Sequence, residues 1–332
     1  MTEIDKHTKL LLDKKDLQNP NSFEELGYIF LGPMVFNFFM WLKSELGNTD
    51  KILFNSREGY FFKEIYEIFK NKYDLPESVY FKTSRKLAAI ASFKTKDDIY
   101  KTFELHRFSG KLSNLLQNRF GIKVNIIDDK QIDTSVQIPN LDEYIDDILL
   151  EAENTRDEYL KYIQSVVDDS TNVIMVDSGF QGMTQHNIQK AFGLKFKGRY
   201  FIYKGNPFLD DVKGLYHFEE SNLRKNLIFF ETIFIDKIGS YINIKNGEFI
   251  NEEYDKSLQY FDEKTKIING VKEFIDDMLN FDIKTNDVSY IYSDYIFDLM
   301  CKENYIKNEK LFDIFFHDNY YVRDIIKKIQ RQ

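Results

Sequence analysis

The chain has 332 residues, is 43% hydrophobic and 16% aromatic, and carries 31 Phe and 21 Tyr, which excludes an intrinsically disordered protein, whose apolar content is too low to offset chain entropy. A net charge of −9 argues against general binding to nucleic-acid backbones or anionic lipid. A single cysteine, Cys301, leaves no intrachain disulfide and no cysteine-cluster metal site, and fits a reducing, cytoplasmic setting.

The first fifteen residues place a short Leu10-Leu11-Leu12 run between Asp5 and Lys14-Lys15, unlike a secretory signal. The longest apolar stretch, 28–42, is interrupted by Gly32-Pro33 and Asn37 and falls short of the roughly 18 to 20 apolar residues needed to span a bilayer. Pro33 suits a first helical position and Gly47 a position just past the end, so the pattern predicts a buried helix over 33–46 and no transmembrane segment.

A strand over 51–55, a loop over 56–59 and an amphipathic helix over 60–72, with Phe61, Ile65, Ile68 and Phe69 on one side, come next. A second strand at 79–83 and a helix from Ser84 repeat the alternation, which predicts a parallel sheet with helices on its faces. Between 95 and 167 the pattern turns helical. Thr95 before Asp97-Asp98 reads as an N-cap and Gly121 as a stop, with one or two amphipathic helices over 141–167, so an all-helical insert is expected.

The sheet resumes with a strand at 173–177, a helix at 184–192 closed by Gly193, and a strand at 199–203. A helix is expected over 223–235, and Asn246-Gly247 is the residue pair favoured in a two-residue hairpin between 241–245 and 248–250. Helical patterning dominates from 252 onward, with Cys301 read as a small buried residue of the helix around 295–301. The predicted fold is therefore an open, mainly parallel α/β sheet with helices on both faces. Residues 1–251 form that ligand-binding domain with its insert at about 95–167, and 252–332 form a helical region packed on it.

Three loops fall at the carboxyl ends of predicted parallel strands, where ligands bind in open α/β sheets. The first carries Ser56, Arg57, Glu58 and Gly59, the second Ser84 and Arg85, and the third Asp177, Gly179, Gln181 and Gly182, followed by Thr184 and Gln185. Their chemistry is complementary. Arginine forks and serine hydroxyls suit phosphate oxygens, while glycines beside a helix N-terminus let backbone N–H groups approach an anion. Asp177 and Glu58 suit acid–base work, or a magnesium ion, which takes one or two carboxylates with water and substrate phosphates. Structural readings stand beside these: Arg57 and Arg85 as ion pairs, Asp177 as a group satisfying nearby backbone donors, Glu58 or Asp177 as a partner that neutralises the arginines, and His186, which could reach the same pocket, as an ordinary surface or core histidine. There is no Gly-x-x-x-x-Gly-Lys-Ser/Thr phosphate loop, no Gly-x-Ser-x-Gly nucleophile elbow and no dinucleotide fingerprint.

In these residues the chain resembles a bacterial region classed with predicted hydrolases of the haloacid dehalogenase superfamily, found with glycosyltransferases in surface-polysaccharide loci. The resemblance runs through Gly32-Pro33, Trp41-Leu42, Arg57-Glu58-Gly59-Tyr60, Ser84-Arg85, the segment from Asp177 to Gln185, Phe230-Glu231 and Gly239-Ser240. Glu58 stands where that pattern has Asp, and Met183-Thr184 sets the threonine one position late. The resemblance implies a role in surface-polysaccharide biosynthesis, a phosphorylated sugar or nucleotide-type ligand, and Glu231 as a further acid–base or supporting group. An aspartyl-phosphate mechanism is not expected, because neither Asn55-Ser56-Arg57 nor Asp177-Ser178-Gly179 supplies a nucleophilic Asp with a second Asp two residues on. Two alternatives stay open: a non-catalytic module that recruits or regulates a glycosyltransferase, and a transferase similar to phosphoribosyltransferases.

Overall fold

The computed structural model describes the chain apart from residues 106, 168–171, 180, 226, 253–259, 284–286, 303–304, 309–310 and 312–332, and apart from the side chains of 105, 225 and 227–229. Its first helix, α1 (Glu3–Leu12), opens with a reciprocal cap in which Thr2 and Asp5 each accept the other's backbone N–H. Then α2 (Phe23–Leu26), a π turn (Gly27–Leu31) and α3 (Gly32–Glu45) follow as one helical run. The expected start at Pro33 is thereby corrected. Proline has no N–H to donate and its ring crowds the carbonyl four residues back, at Ile29, and the helix widens there into the π turn instead of ending. The run Phe23–Glu45 is 23 residues long and apolar enough to cross a membrane by length and composition, yet 89% of its most apolar window is buried inside the protein.

The first part of the sheet is β1 (Lys51–Asn55), α4 (Gly59–Lys72), β2 (Glu77–Phe81) and α5 (Arg85–Ser92). β2 lies two residues earlier than its sequence pattern suggests. It pairs with β1 from Lys51–Glu77 to Asn55–Phe81, and Thr83 is drawn off by Ser56, whose hydroxyl accepts the Thr83 N–H and donates to the Thr83 carbonyl.

The insert comprises α6 (Lys96–Leu105), β3 (Ser109–Lys111), α7 (Leu112–Phe120), β4 (Gln131–Asp133) and α8 (Ile145–Val166). It is not all-helical, since β3 and β4 pair antiparallel; three-residue strands are too short to show a period-two pattern. Thr95 does cap α6, accepting the Asp98 N–H, and Gly121 closes α7 in the left-handed conformation. Ile99, Phe103, Leu115, Phe120 and Ile148 give this insert a core of its own.

The sheet is completed by β5 (Val173–Asp177), α9 (Met183–Phe192), β6 (Lys197–Tyr203) and β7 (Val212–His217). β7, with Lys213 and Gly214 inside it, has no clear strand pattern and is a gain of the structure. After it a 3-10 turn (Asn222–Lys225) and α10 (Leu227–Ile233) occupy most of the expected 223–235 helix. The hairpin of β8 (Tyr241–Lys245) and β9 (Glu248–Asn251) turns at Asn246 and Gly247, both at positive φ, 53° and 79°, as a two-residue hairpin requires. The last described helices are α11 (Phe261–Leu279) and α12 (Ile291–Cys301).

The main sheet has the order β2-β1-β5-β6-β7, with every pairing parallel. Alternation along the strands supplies two cores. Ile52, Phe54, Ile174 and Val176 face α3, α4 and α11, whereas Leu53, Val173 and Met175 face α5, α8 and α9. Burying each large apolar side chain stabilises the fold by about 1.5–3 kcal/mol. The first core is pulled tight by glycine: a Cβ at Gly270 of α11 would sit 1.8 Å from the Glu24 carbonyl oxygen, and one at Gly27 would sit 1.9 Å from that of Ile267.

The chain moves from β1 outward to β2, then re-enters on the other side of β1 with β5. Connections therefore leave the C-terminal ends of β1 and β5 in opposite directions. This is the switch point at which open α/β sheets leave a crevice for ligands.

Candidate functional site

Asn55, Phe81 and Asp177 are the last residues of three adjacent strands, so parallel register brings the three predicted loops to one edge. Across the switch point the Asn55 amide donates to Asp177 Oδ2 at 2.8 Å, and the Gly179 N–H donates to Asp177 Oδ1 at 3.3 Å. Burial, and then the negative charge of Glu58, push the Asp177 carboxyl up to about 6, against the pull of Asn55, the Gly179 N–H and Arg85. Glu58 and Arg85 therefore both lie within electrostatic reach of Asp177.

Glu58 is the residue before α4, and its side chain accepts the Arg57 N–H at 3.2 Å. Gly59 explains how the helix start comes so close: a Cβ there would sit 2.6 Å from the Phe54 carbonyl carbon. The N-terminal end of α4, with its partial positive charge, is thus pressed against the end of β1. Arg57 is half-buried beside it.

The two serines are committed to structure. Ser56 ties the first loop to Thr83 of the second, and Ser84 caps α5, accepting the Leu87 N–H at 2.9 Å and donating to the Tyr241 carbonyl at 2.5 Å. Arg85 follows at the first turn of α5 and is exposed.

In the third loop, Gly179 packs on Ile202, where a Cβ would meet its methyl at 2.8 Å, and Gly182 is left-handed at φ 67°. Gln181 is exposed and its carbonyl accepts from Asn206 at 2.7 Å, while Thr184 is half-buried on α9. Phe180 lies outside the described residues. Gln185 is fully buried; its amide N–H groups go to Gln189 and to the Phe196 carbonyl, and its oxygen accepts from Tyr200, each at 2.7–2.8 Å. One amide N–H stays within α9, while the other and the side-chain oxygen tie α9 to Phe196 and to Tyr200 of β6. Glu231 is half-buried on α10, next to Phe230, which stacks on Phe201 at 4.2 Å.

Two residues carried no sequence signal. Asn55 reads only as the polar end of an apolar strand, yet it holds Asp177, and its own Oδ1 is buried without a hydrogen-bond partner. Asp236 is 3% exposed and accepts from Tyr80 at 2.5 Å and from the Lys237 N–H at 2.6 Å. Among the described residues no group of three His, Cys, Asp or Glu side chains gathers to hold a metal. The His186 ring lies tilted against that of Phe208 at 5.1 Å, and burial lowers its pKa. Burial raises the pKa of the Cys301 thiol on α12, away from these loops.

No protein-family model matches the chain, and no curated protein matches it.

Proposed function

We propose that the crevice between the ends of β1 and β5 binds a phosphorylated sugar or nucleotide-type small molecule and that Asp177 is its acid–base group. One observation carries this reading: Asp177 is held at the switch point by Asn55, with Glu58 and Arg85 in electrostatic reach. A carboxyl near 6 can take a proton from an attacking hydroxyl, or return one to a leaving oxygen, close to neutral pH. Arg85 and Arg57, beside the N-terminal ends of α5 and α4, supply positive charge for phosphate oxygens.

Asp177 serves as a base rather than a nucleophile in this reading, since both its oxygens already accept hydrogen bonds and no second Asp stands two residues on. If a magnesium ion takes part, Asp177 and Glu58 hold it and it neutralises phosphate charge. The resemblance to the haloacid dehalogenase-type region extends the proposal to surface-polysaccharide biosynthesis in the cytoplasm. The internal engagement of Ser56, Ser84 and Gln185 favours a second reading, a ligand-sensing module that regulates a glycosyltransferase without chemistry of its own.

Calorimetric titration with inorganic phosphate, glucose 1-phosphate and UDP-glucose tests the site. Binding that weakens roughly tenfold in Arg85→Ala supports it, a loss of about 1.4 kcal/mol. No binding of any of the three by the unaltered protein overturns it. Binding without turnover of any bound compound assigns the regulatory reading.

A further inference from the structure

Asn55 closes β1 and Asp177 closes β5, and the pairing of Phe54 with Val176 sets the two side by side at the strand ends. Leu53 and Met175 lie in the core on the α5 face of the sheet. Alternation puts Asn55 and Asp177, each two residues on, over that same face. An ionised carboxylate only accepts hydrogen bonds, so the Asn55 amide has to turn its NH2 toward Asp177, and it does so at 2.8 Å. The amide oxygen is stranded as a result: it is buried, and no donor among the described residues reaches it. A buried acceptor without a partner is costly, and catalytic sites are among the places where folds keep one.

Covalent geometry fixes how far that oxygen stands from the acid. The nitrogen and oxygen of one amide are about 2.3 Å apart, so with the 2.8 Å bond Asn55 Oδ1 lies no more than about 5 Å from Asp177 Oδ2. Two hydrogen bonds of about 2.8 Å that share one oxygen atom at a near-tetrahedral angle span about 4.5 Å. A single water therefore reaches both acceptors and gives one hydrogen to each; Asp177 Oδ2 keeps a lone pair for it beside the Asn55 bond. An alcohol has only one hydrogen on its oxygen and leaves one acceptor unmet. Size acts in the same direction. Asn55 is 2% exposed while Asp177 is half-buried, which leaves no room beside the amide oxygen for a carbon chain.

We propose that Asn55 is a catalytic residue of the strand-end site whose side-chain oxygen, with Asp177, holds the attacking water, so that the reaction is hydrolysis and not transfer to an alcohol. The inference rests on the site proposed above and adds the nucleophile to it. In the step, one O–H bond of the water breaks and its proton passes to Asp177 Oδ2, while the second hydrogen stays hydrogen-bonded to Asn55 Oδ1. The water oxygen bonds to the phosphorus of the ligand. The bond from phosphorus to the leaving oxygen breaks, and that oxygen departs with the electron pair and takes a proton from solvent. Asp177 then returns its own proton to solvent.

The test follows glucose 1-phosphate and UDP-glucose on the full chain, with magnesium present, in water that carries a heavy oxygen isotope and contains methanol. By mass spectrometry the unaltered protein should place the label in the phosphate product and form roughly tenfold less methyl phosphate ester than the mole ratio of methanol to water gives, the scale of one hydrogen bond. Asn55→Ala should raise the share of methyl ester toward that mole ratio, whatever it does to the rate. If Asn55 only positions Asp177, the variant slows turnover and leaves the partition between water and methanol as it was; that result overturns the inference, as does free transfer to methanol by the unaltered protein. Binding of a probe without turnover also overturns it and leaves the binding site standing, whereas failure of both probes to bind removes the site itself. Should Asn55→Ala not fold, the partition shown by the unaltered protein decides alone.

Discussion

Asn55 and Asp177 stand 122 positions apart in the chain and meet in a 2.8 Å hydrogen bond across the gap between β1 and β5. The amide supports the charged form of a carboxyl that burial and Glu58 disfavour, and the balance leaves Asp177 at about 6. A group poised there exchanges its proton near neutral pH, which an ordinary surface aspartate does not.

That balance gives Asp177 a definite pH signature. Its folded value is raised from 3.8 to about 6, so between those limits the folded protein binds a proton that the unfolded chain does not. Stability from this group is present below about 4 and is lost as pH rises through 6, by on the order of 2 kcal/mol after allowance for its remaining solvent contact. Asp177→Asn cannot titrate. Urea unfolding of both proteins from pH 4 to 7.5 should show the unaltered protein losing ground to the variant as pH rises; a difference that is flat or grows the other way refutes the assignment.

Arg85 and Gln185 should separate cleanly. Arg85 is exposed, so Arg85→Ala should change stability by less than about 0.5 kcal/mol and weaken phosphate binding. Gln185→Ala would strand the buried Tyr200 hydroxyl and the Phe196 carbonyl and should cost about 2–4 kcal/mol. Paired unfolding and phosphate titrations check both. A large stability loss in Arg85→Ala would move that residue into the scaffold.

Gly270→Ala should destabilise the protein by about 2 kcal/mol or more, because its Cβ would sit 1.8 Å from the Glu24 carbonyl oxygen and the two helix backbones would have to part. Gly193→Ala is the control: it meets no atom within 4 Å, so only its left-handed backbone, φ 71°, is strained. Equal losses in the two variants, read from chemical denaturation, would show that the crossing is looser than described.

Glu231→Gln tests the acid implied on α10. If it takes part in the site, ligand affinity or turnover should fall while stability stays within about 1 kcal/mol. Unchanged phosphate and sugar-phosphate affinity would remove Glu231 from the site, and a large drop in melting temperature would make it a structural partner of α10.

Local patterns carried much of the fold. Strands 51–55 and 173–177, the cap at Thr95, the stops at Gly121 and Gly193 and the Asn246-Gly247 hairpin were legible because apolar period, cap chemistry and positive φ are written in adjacent positions. The π turn at Gly27–Leu31 was not legible, because whether a proline ends a helix or widens it depends on what packs around it. Here α11 presses against that turn.

The site divides in the same way. Residue types and loop positions at strand ends follow from the sequence, and these brought Arg57, Glu58, Arg85 and Asp177 forward together. Only the tertiary structure decided that Asn55 holds Asp177, that Ser56, Ser84 and Gln185 are engaged internally, and that Asp236 reaches Tyr80 from 156 positions away. The physical reason is that apolar periodicity specifies which face of an element is buried but not which element lies beside it. In a parallel sheet that neighbour is chosen by how the crossover helices pack, and here α4 packs on one face of β1 and β5 while α5 and α8 pack on the other, which sets β5 against β1 and so brings Asn55 to Asp177.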